Sequence, residues 1–334
     1  MNKSTTKMIK GVAILMMVMH HFCAVSLFPE LSSGLTKLGV TFKICVAIYA
    51  VLSGYGYYFA KEKTIRYGMK KIWGLLEIYW ISLFTLFLPI AIMGGYHLTM
   101  NKLFINLFGL LPNVNYFAWY VFFYVFCMLS MPFVYKIFKE NLLVNIGIAC
   151  IVPYVIEVAL HFIPNYETIT AIHDLFSCFL YFPCFLIGFL LAKHDIITKM
   201  TLKLGDRYVL SLIGLIVIFV FRFYIASIAG FLLDVIYAPM LIIFLNHLFI
   251  MMKNNDLKII NSCLGTLGKY STGIWFFHAV FFSEYLRDIF LPVLKIIKNP
   301  ILMFVWCVLL SLIGAYIYQK LLEFIHKRMT MKEI

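Results

Sequence analysis

The sequence has little charge, and acidic residues are especially few. Only 13% of its 334 residues are charged, and 15 acidic residues face 28 basic ones. Because 63% of the residues are hydrophobic, the chain has too little polar surface to cover a soluble globule of its size. The composition therefore predicts an integral membrane protein and excludes a soluble enzyme or binding domain.

The sequence also lacks the motifs of several common chemistries. Its eight cysteines contain no C-x-x-C pair and lie mostly in apolar stretches, which is typical of small buried side chains. No G-x-S-x-G, H-E-x-x-H, P-loop or G-x-G-x-x-G motif occurs. These absences exclude the usual serine-hydrolase, zinc-protease and nucleotide-binding patterns, and we predict no metal site.

Long apolar runs are what the sequence has instead. About ten stretches reach the length of about 20 residues that a bilayer core requires. The expected fold is an all-α, polytopic transmembrane helix bundle, and we expect residues 1–334 to form a single domain. The predicted spans are 8–28, 36–60, 72–93, 116–138, 142–163, 174–192, 208–228, 231–252, 271–291 and 299–319.

The basic residues alternate along the chain. They cluster before the first predicted span, after the last one and in every second connection. The positive-inside rule places these segments, and therefore both termini, on the cytoplasmic side. We assign the net charge of +13 to membrane orientation and expect no nucleic-acid partner, because the cations do not form one soluble face.

Lys10 and His21 stand out because both are ionisable residues in the first predicted span. Over these eleven positions a helix turns about 20° past three full turns, so the two side chains share one face. They lie about 16 Å apart along the axis. Ionisable groups in a membrane are costly unless they face a protein interior or a wet cavity, so this pair predicts a functional site.

Four segments together resemble the acyltransferase-3 family of integral membrane acyltransferases. The first has a basic residue, ten further residues and a histidine, and the others contain Ser-Gly, Gly-Phe and aromatic-His patterns. The resemblance implies an enzyme of the cell membrane that moves an acyl group, usually acetyl from acetyl-CoA, to a hydroxyl of a cell-surface glycan or its lipid-linked precursor. The segments are residues 10–21, 52–55, 185–192 and 271–278.

Three histidines are candidates for the chemistry that this resemblance implies. His21 is the candidate general base for the acceptor hydroxyl, since the ordinary pKa of histidine lies near working pH. His20 lies about 80° from the face that Lys10 and His21 share, so it faces a neighbouring helix or orients its partner, and it is the alternative base. His278 is expected to line the site and orient donor or acceptor.

Four cations are candidates for binding the phosphates of an acyl-CoA donor at the cytoplasmic face. The family tends to have paired arginines after the Ser-Gly segment. This chain has Gly74 where the second arginine would fall, so the resemblance does not identify the residue that completes the cluster of phosphate-binding cations. We expect acyl-CoA as a donor substrate with no bound cofactor, a glycan or glycolipid as the acceptor, and polysaccharide-assembly proteins as further partners. The four cations are Lys10, Arg66, Lys70 and Lys71.

The alternative function is a proton-coupled transporter or exporter of glycan units, with His21, Glu157 and His278 as a proton path. Transporters often have internal repeats with helices broken at matching positions, and the sequence shows no such pairing. Arg222 and Asp234 end and begin two consecutive spans, so we predict an interhelical ion pair there and not a site.

Overall fold

The computed structural model describes residues 1–24, 32–110, 112–164, 170–229, 231–254 and 257–330. Across these residues the chain forms helices joined by turns, without a strand, which confirms the all-α fold. The α-helices are α1 (Lys3–Ala24), α2 (Ser32–Phe42), α3 (Cys45–Tyr58), α4 (Ile65–Ser82), α5 (Leu88–Met93), α6 (Met100–Phe108), α7 (Trp119–Val134), α8 (Leu142–His161), α9 (Thr170–Lys193), α10 (Ile196–Leu204), α11 (Tyr208–Ala229), α12 (Asp234–Asn254), α13 (Lys258–Lys269), α14 (Ser271–His278), α15 (Glu284–Lys295) and α16 (Pro300–Thr330).

Within the described ranges, eight helical segments are long and apolar enough to cross a membrane. They correspond to the second to eighth and the tenth predicted spans, so the chain is a polytopic membrane protein. The total of about ten spans and the cytoplasmic termini stay predictions. The eight segments are Gly34–Tyr58, Ile65–Met93, Tyr116–Ile137, Leu142–His161, Ile172–Lys193, Tyr208–Ile225, Asp234–Met252 and Pro300–Arg328.

The first and ninth predicted spans are not among these eight segments. In α1, which is one continuous helix, the longest stretch free of lysine and histidine is residues 11–19, well short of a bilayer core. The prediction of one helix over 271–291 is wrong. The chain instead forms α14, a 3₁₀ turn at Ala279–Phe281 and then α15, because Ser283 adopts an extended conformation at the start of the polar α15.

The described chain divides into two compact units. The first contains residues 1–64 and 130–269, and the second contains residues 65–129 and 270–334. In the first unit, α1 packs against α2, α3, α12 and α13, and α3 packs along α9. In the second unit, α14 contacts α4 and α16, which also contact each other. The expected single domain thus contains two compact parts.

Glycines let α3 and α9 approach very closely. A Cβ at Gly54 of α3 would lie 1.8 Å from the carbonyl oxygen of Phe185 in α9, and a Cβ at Gly188 of α9 would lie 2.1 Å from the carbonyl oxygen of Val51. Both glycines belong to segments that resemble the acyltransferase-3 family. The crossing of these two helices therefore gives a packing reason for two of the four segments.

Glycines also bring α1 against α13. A Cβ at Gly11 would lie 2.2 Å from the Leu264 carbonyl oxygen, and a Cβ at Gly268 would lie 1.8 Å from the Lys7 carbonyl oxygen. Small residues of this kind allow two helix backbones to touch. The contact fixes α1 at the turn that carries Lys10.

Candidate active site

The two neighbouring histidines lie near the end of α1, with ring centroids 4.8 Å apart. His20 Nδ1 lies 2.8 Å from the carbonyl oxygen of Gly39 in α2. Because a carbonyl oxygen can only accept, His20 donates from Nδ1, and Nε2 carries the lone pair of the neutral ring. The structure thus places His20 against a neighbouring helix and in ring contact with His21.

Lys10 lies about three turns before His21 on the same unbroken helix, so the expected register of the two side chains applies. Its side chain is partly buried, and its carbonyl oxygen accepts from the Tyr49 hydroxyl of α3 at 3.2 Å. The amino terminus donates to the Tyr55 hydroxyl of the same helix at 2.9 Å. Two tyrosines of α3 therefore hold the first half of α1.

The predicted ion pair between Arg222 and Asp234 is confirmed. The guanidinium Nε and Nη2 lie 2.8 and 2.9 Å from the two carboxylate oxygens, and both side chains are 2% exposed. Nη1 of the arginine also donates to the carbonyl oxygens of Val40 and Thr41. The pair therefore holds the same end of α2 that accepts the hydrogen bond from His20.

Lys43 was not predicted as a functional residue, and it lies in the turn between α2 and α3. Its Nζ is 4.1 Å from the centroid of the Phe231 ring, and the guanidinium carbon of Arg222 is 5.7 Å from the same centroid. Lys43 meets the same criterion as Lys10, because it is an ionisable residue inside a predicted span. A hydropathy average over the whole span hides a single charged residue.

His278 ends α14 in the second unit and is fully buried. Its Nδ1 lies 3.1 Å from the Ile274 carbonyl oxygen, so this histidine also donates from Nδ1. The rings of Phe117 and Phe282 lie 6.0 and 6.2 Å from its ring. The indole Nε1 of Trp275 donates to the Phe117 carbonyl oxygen at 3.1 Å, which holds this aromatic surrounding together.

A polar network supports the segment that brings Phe117 to His278. Asn106 of α6 is fully buried, and its Nδ2 donates to Asn113 Oδ1 at 2.9 Å. The Tyr96 hydroxyl donates to the same oxygen at 2.6 Å. Burial raises the pKa of Tyr96, so the hydroxyl keeps the proton that it donates.

The donor-binding candidates of the second unit lie on the first two turns of α4. All three side chains are exposed, and the Lys71 ammonium lies 5.5 Å from the centroid of the Tyr67 ring. At Gly74, where the family tends to have a second arginine, a Cβ would meet no atom within 4 Å. A larger side chain would therefore fit at this position, so packing does not require a glycine here. The three residues are Arg66, Lys70 and Lys71.

The candidate residues fall into two sets, one in each compact unit. His20 and His21 are in contact in the first unit, which also contains Lys10 about three turns away on α1, whereas His278 and the α4 cations belong to the second. In the first unit, the contacting imidazoles can take up a proton and Lys10 can hold an anion. Across the described residues, no three His, Cys, Asp or Glu side chains form a group that could hold a metal ion.

Comparison with known proteins identifies one family. The family model described as an acyltransferase domain matches residues 7–320, which is nearly the whole chain and includes parts of both units. A search of curated proteins and a search of solved structures returned no match. Together with the long apolar helices, the match shows that the protein is an integral membrane acyltransferase. The chain belongs to the acyltransferase-3 family.

Proposed function

We propose that the protein transfers an acetyl or another short acyl group from acyl-CoA to a hydroxyl of a cell-surface polysaccharide or lipid-linked glycan at the cell membrane. Membership of the acyltransferase-3 family supports the reaction class. The observation that carries the proposal is the end of α1, where His21 lies in ring contact with a second histidine that donates to a backbone carbonyl.

His21 is the proposed general base. It removes the proton from the acceptor hydroxyl as the hydroxyl oxygen attacks the thioester carbonyl carbon. A carbon–oxygen bond forms, the carbon–sulfur bond breaks, and the proton passes from the imidazolium to the departing CoA thiolate. His20 positions His21, because its Nδ1 hydrogen bond to Gly39 holds the ring that His21 contacts.

The proposed donor contacts are cations. Charge-assisted hydrogen bonds between ammonium or guanidinium groups and phosphate are among the stronger polar interactions of proteins. The flexible arm of CoA separates its thioester from its phosphates, which suits a cation about 16 Å from the proposed base. His278 is proposed to line the path of the donor or the acceptor. The donor-binding cations are Lys10, Arg66, Lys70 and Lys71.

The proposal is tested by mass spectrometry of surface glycans from a deletion strain that expresses either the wild-type protein or His21→Gln. The substitution keeps a polar side chain but removes the base, so we expect a loss of acylation of at least about 100-fold. His97→Gln, which changes an exposed histidine, is the matched control and should retain acylation.

Two outcomes would count against the proposal. Normal acylation by a membrane-inserted His21→Gln protein would remove the assigned base. If His21→Gln removed the glycan from the cell surface while the glycan that remained in the cell was still acylated, the transporter would be favoured instead.

A further inference from the structure

Among the described residues of the first unit, no carboxylate forms an ion pair with the ammonium of Lys43. The residue is partly buried, and its ammonium lies over the Phe231 ring at 4.1 Å. In the part of the chain that the structure describes, the ammonium has no hydrogen-bond acceptor and no ion pair. A lysine ammonium has three N–H donors, so its capacity for hydrogen bonds is available to a ligand.

The carboxylate of Asp234 is already paired with an arginine. Asp234 is bound through both oxygens to Arg222, and Arg222 uses its remaining nitrogen for two backbone carbonyls of α2. This pair is electrically neutral, so within the part of the chain that the structure describes the charge of Lys43 is in excess. A partly buried charge without a counter-ion is costly, and an anionic ligand would relieve that cost.

The excess charge lies beside the proposed catalytic histidines. Lys43 follows Gly39, whose carbonyl oxygen accepts from His20, by four positions at the end of α2. The arginine and His20 bind successive carbonyl groups at the end of α2. α3 begins at Cys45, so the partial positive charge of its N-terminus adds to the local potential.

We propose that Lys43 binds the phosphate group of a lipid-linked acceptor beside His20 and His21. Lys43 lies within a predicted membrane span, and an anion that is attached to a lipid can reach this position from within the bilayer. By the predicted orientation, Lys43, Arg222 and Asp234 lie in the non-cytoplasmic halves of their spans, away from the cations assigned to acyl-CoA. The identification of this ligand as the acceptor rests on the proposed function.

The test uses the purified full-length protein in phosphatidylcholine nanodiscs, with farnesyl phosphate as the probe and farnesol as its uncharged counterpart. Farnesyl phosphate should raise the thermal unfolding temperature of the wild type, whereas farnesol should not. In Lys43→Met the apparent Kd for farnesyl phosphate should rise at least about tenfold, because a charge-assisted hydrogen bond is lost. Lys43→Arg should retain most of the response.

Lys102→Met is the matched control. This lysine also lies over an aromatic ring, at 5.0 Å from the Tyr96 centroid, but its ammonium donates to the His97 carbonyl oxygen. The variant should respond to farnesyl phosphate as the wild type does. Without ligand, Lys43→Met should unfold at a temperature equal to or above that of the wild type, because an unbalanced charge has been removed.

Several results would overturn the inference. They are a wild type that does not respond to farnesyl phosphate, an unchanged response in Lys43→Met, and a Lys43→Met protein that fails to fold. A response of the same size to inorganic phosphate or to CoA would remove the assignment to a lipid-linked acceptor. Because binding is measured without catalysis, a protein that binds the probe but transfers no acyl group would contradict only the proposed function.

Discussion

Arg222 is the residue at which several contacts of the first unit meet. Its guanidinium binds both oxygens of Asp234 and two backbone carbonyls of α2, and it lies over the same aromatic ring as Lys43. A buried ion pair adds little to the free energy of unfolding compared with apolar residues of the same size. Removing one partner, however, leaves the other charge buried and unpaired. Removing either partner alone should therefore destabilise the protein more than removing both.

We expect Arg222→Met to lower the free energy of unfolding by about 3–5 kcal/mol, because it leaves the Asp234 carboxylate unpaired. Asp234→Leu should have a similar effect, and the double variant should recover part of the loss. Thermal unfolding in detergent measures all three. Lys320→Met, which breaks the exposed pair with Glu323, should change little. Single variants as stable as the wild type would show that the pair does not hold α2.

Glycine contacts dominate packing at the scale of the helices. The α3–α9 and α1–α13 crossings each place a glycine of either helix against a backbone carbonyl of the other. The same glycines lie in or beside the segments that resemble the family. The sequence predicts a close helix approach at Gly54 but does not show which helix it contacts, because that depends on which two helices are neighbours.

Two glycines on α3 provide a matched test. Gly54→Ala should lower the unfolding temperature, since its Cβ would lie 1.8 Å from a carbonyl oxygen of α9, and one helix would have to move. Gly56→Ala, with nothing within 4 Å of the new Cβ, should be neutral or should stabilise the helix by up to about 1 kcal/mol. Equal unfolding temperatures for the two variants would contradict the close α3–α9 contact.

Hydropathy predicted the helices that are regular and failed where a helix is interrupted. A window of about 20 residues averages over its length, so it reports an apolar stretch and not where the helix ends. The break before Ser283 and the turn at Lys43 were missed for this reason. The ion pair of Arg222 and Asp234 was predictable because two opposite charges stand at adjacent ends of consecutive spans.

At the scale of the whole molecule, the family match runs through both compact units. The first unit holds the proposed base and the second holds most of the proposed donor-binding cations, so neither unit alone carries every proposed role. An imidazole can accept a proton and a cluster of cations can bind phosphates, so each unit carries a different part of the proposed chemistry.

The central claim is that this chain moves an acyl group from acyl-CoA with His21 as the base. The most direct measurement is transfer of radiolabelled acetyl from acetyl-CoA to a glycan acceptor by the purified protein, with release of free CoA followed in parallel. We expect the wild type to label the acceptor and release CoA in equal amounts, and His21→Gln to do neither. Labelling of the acceptor by His21→Gln at the wild-type rate would contradict the account.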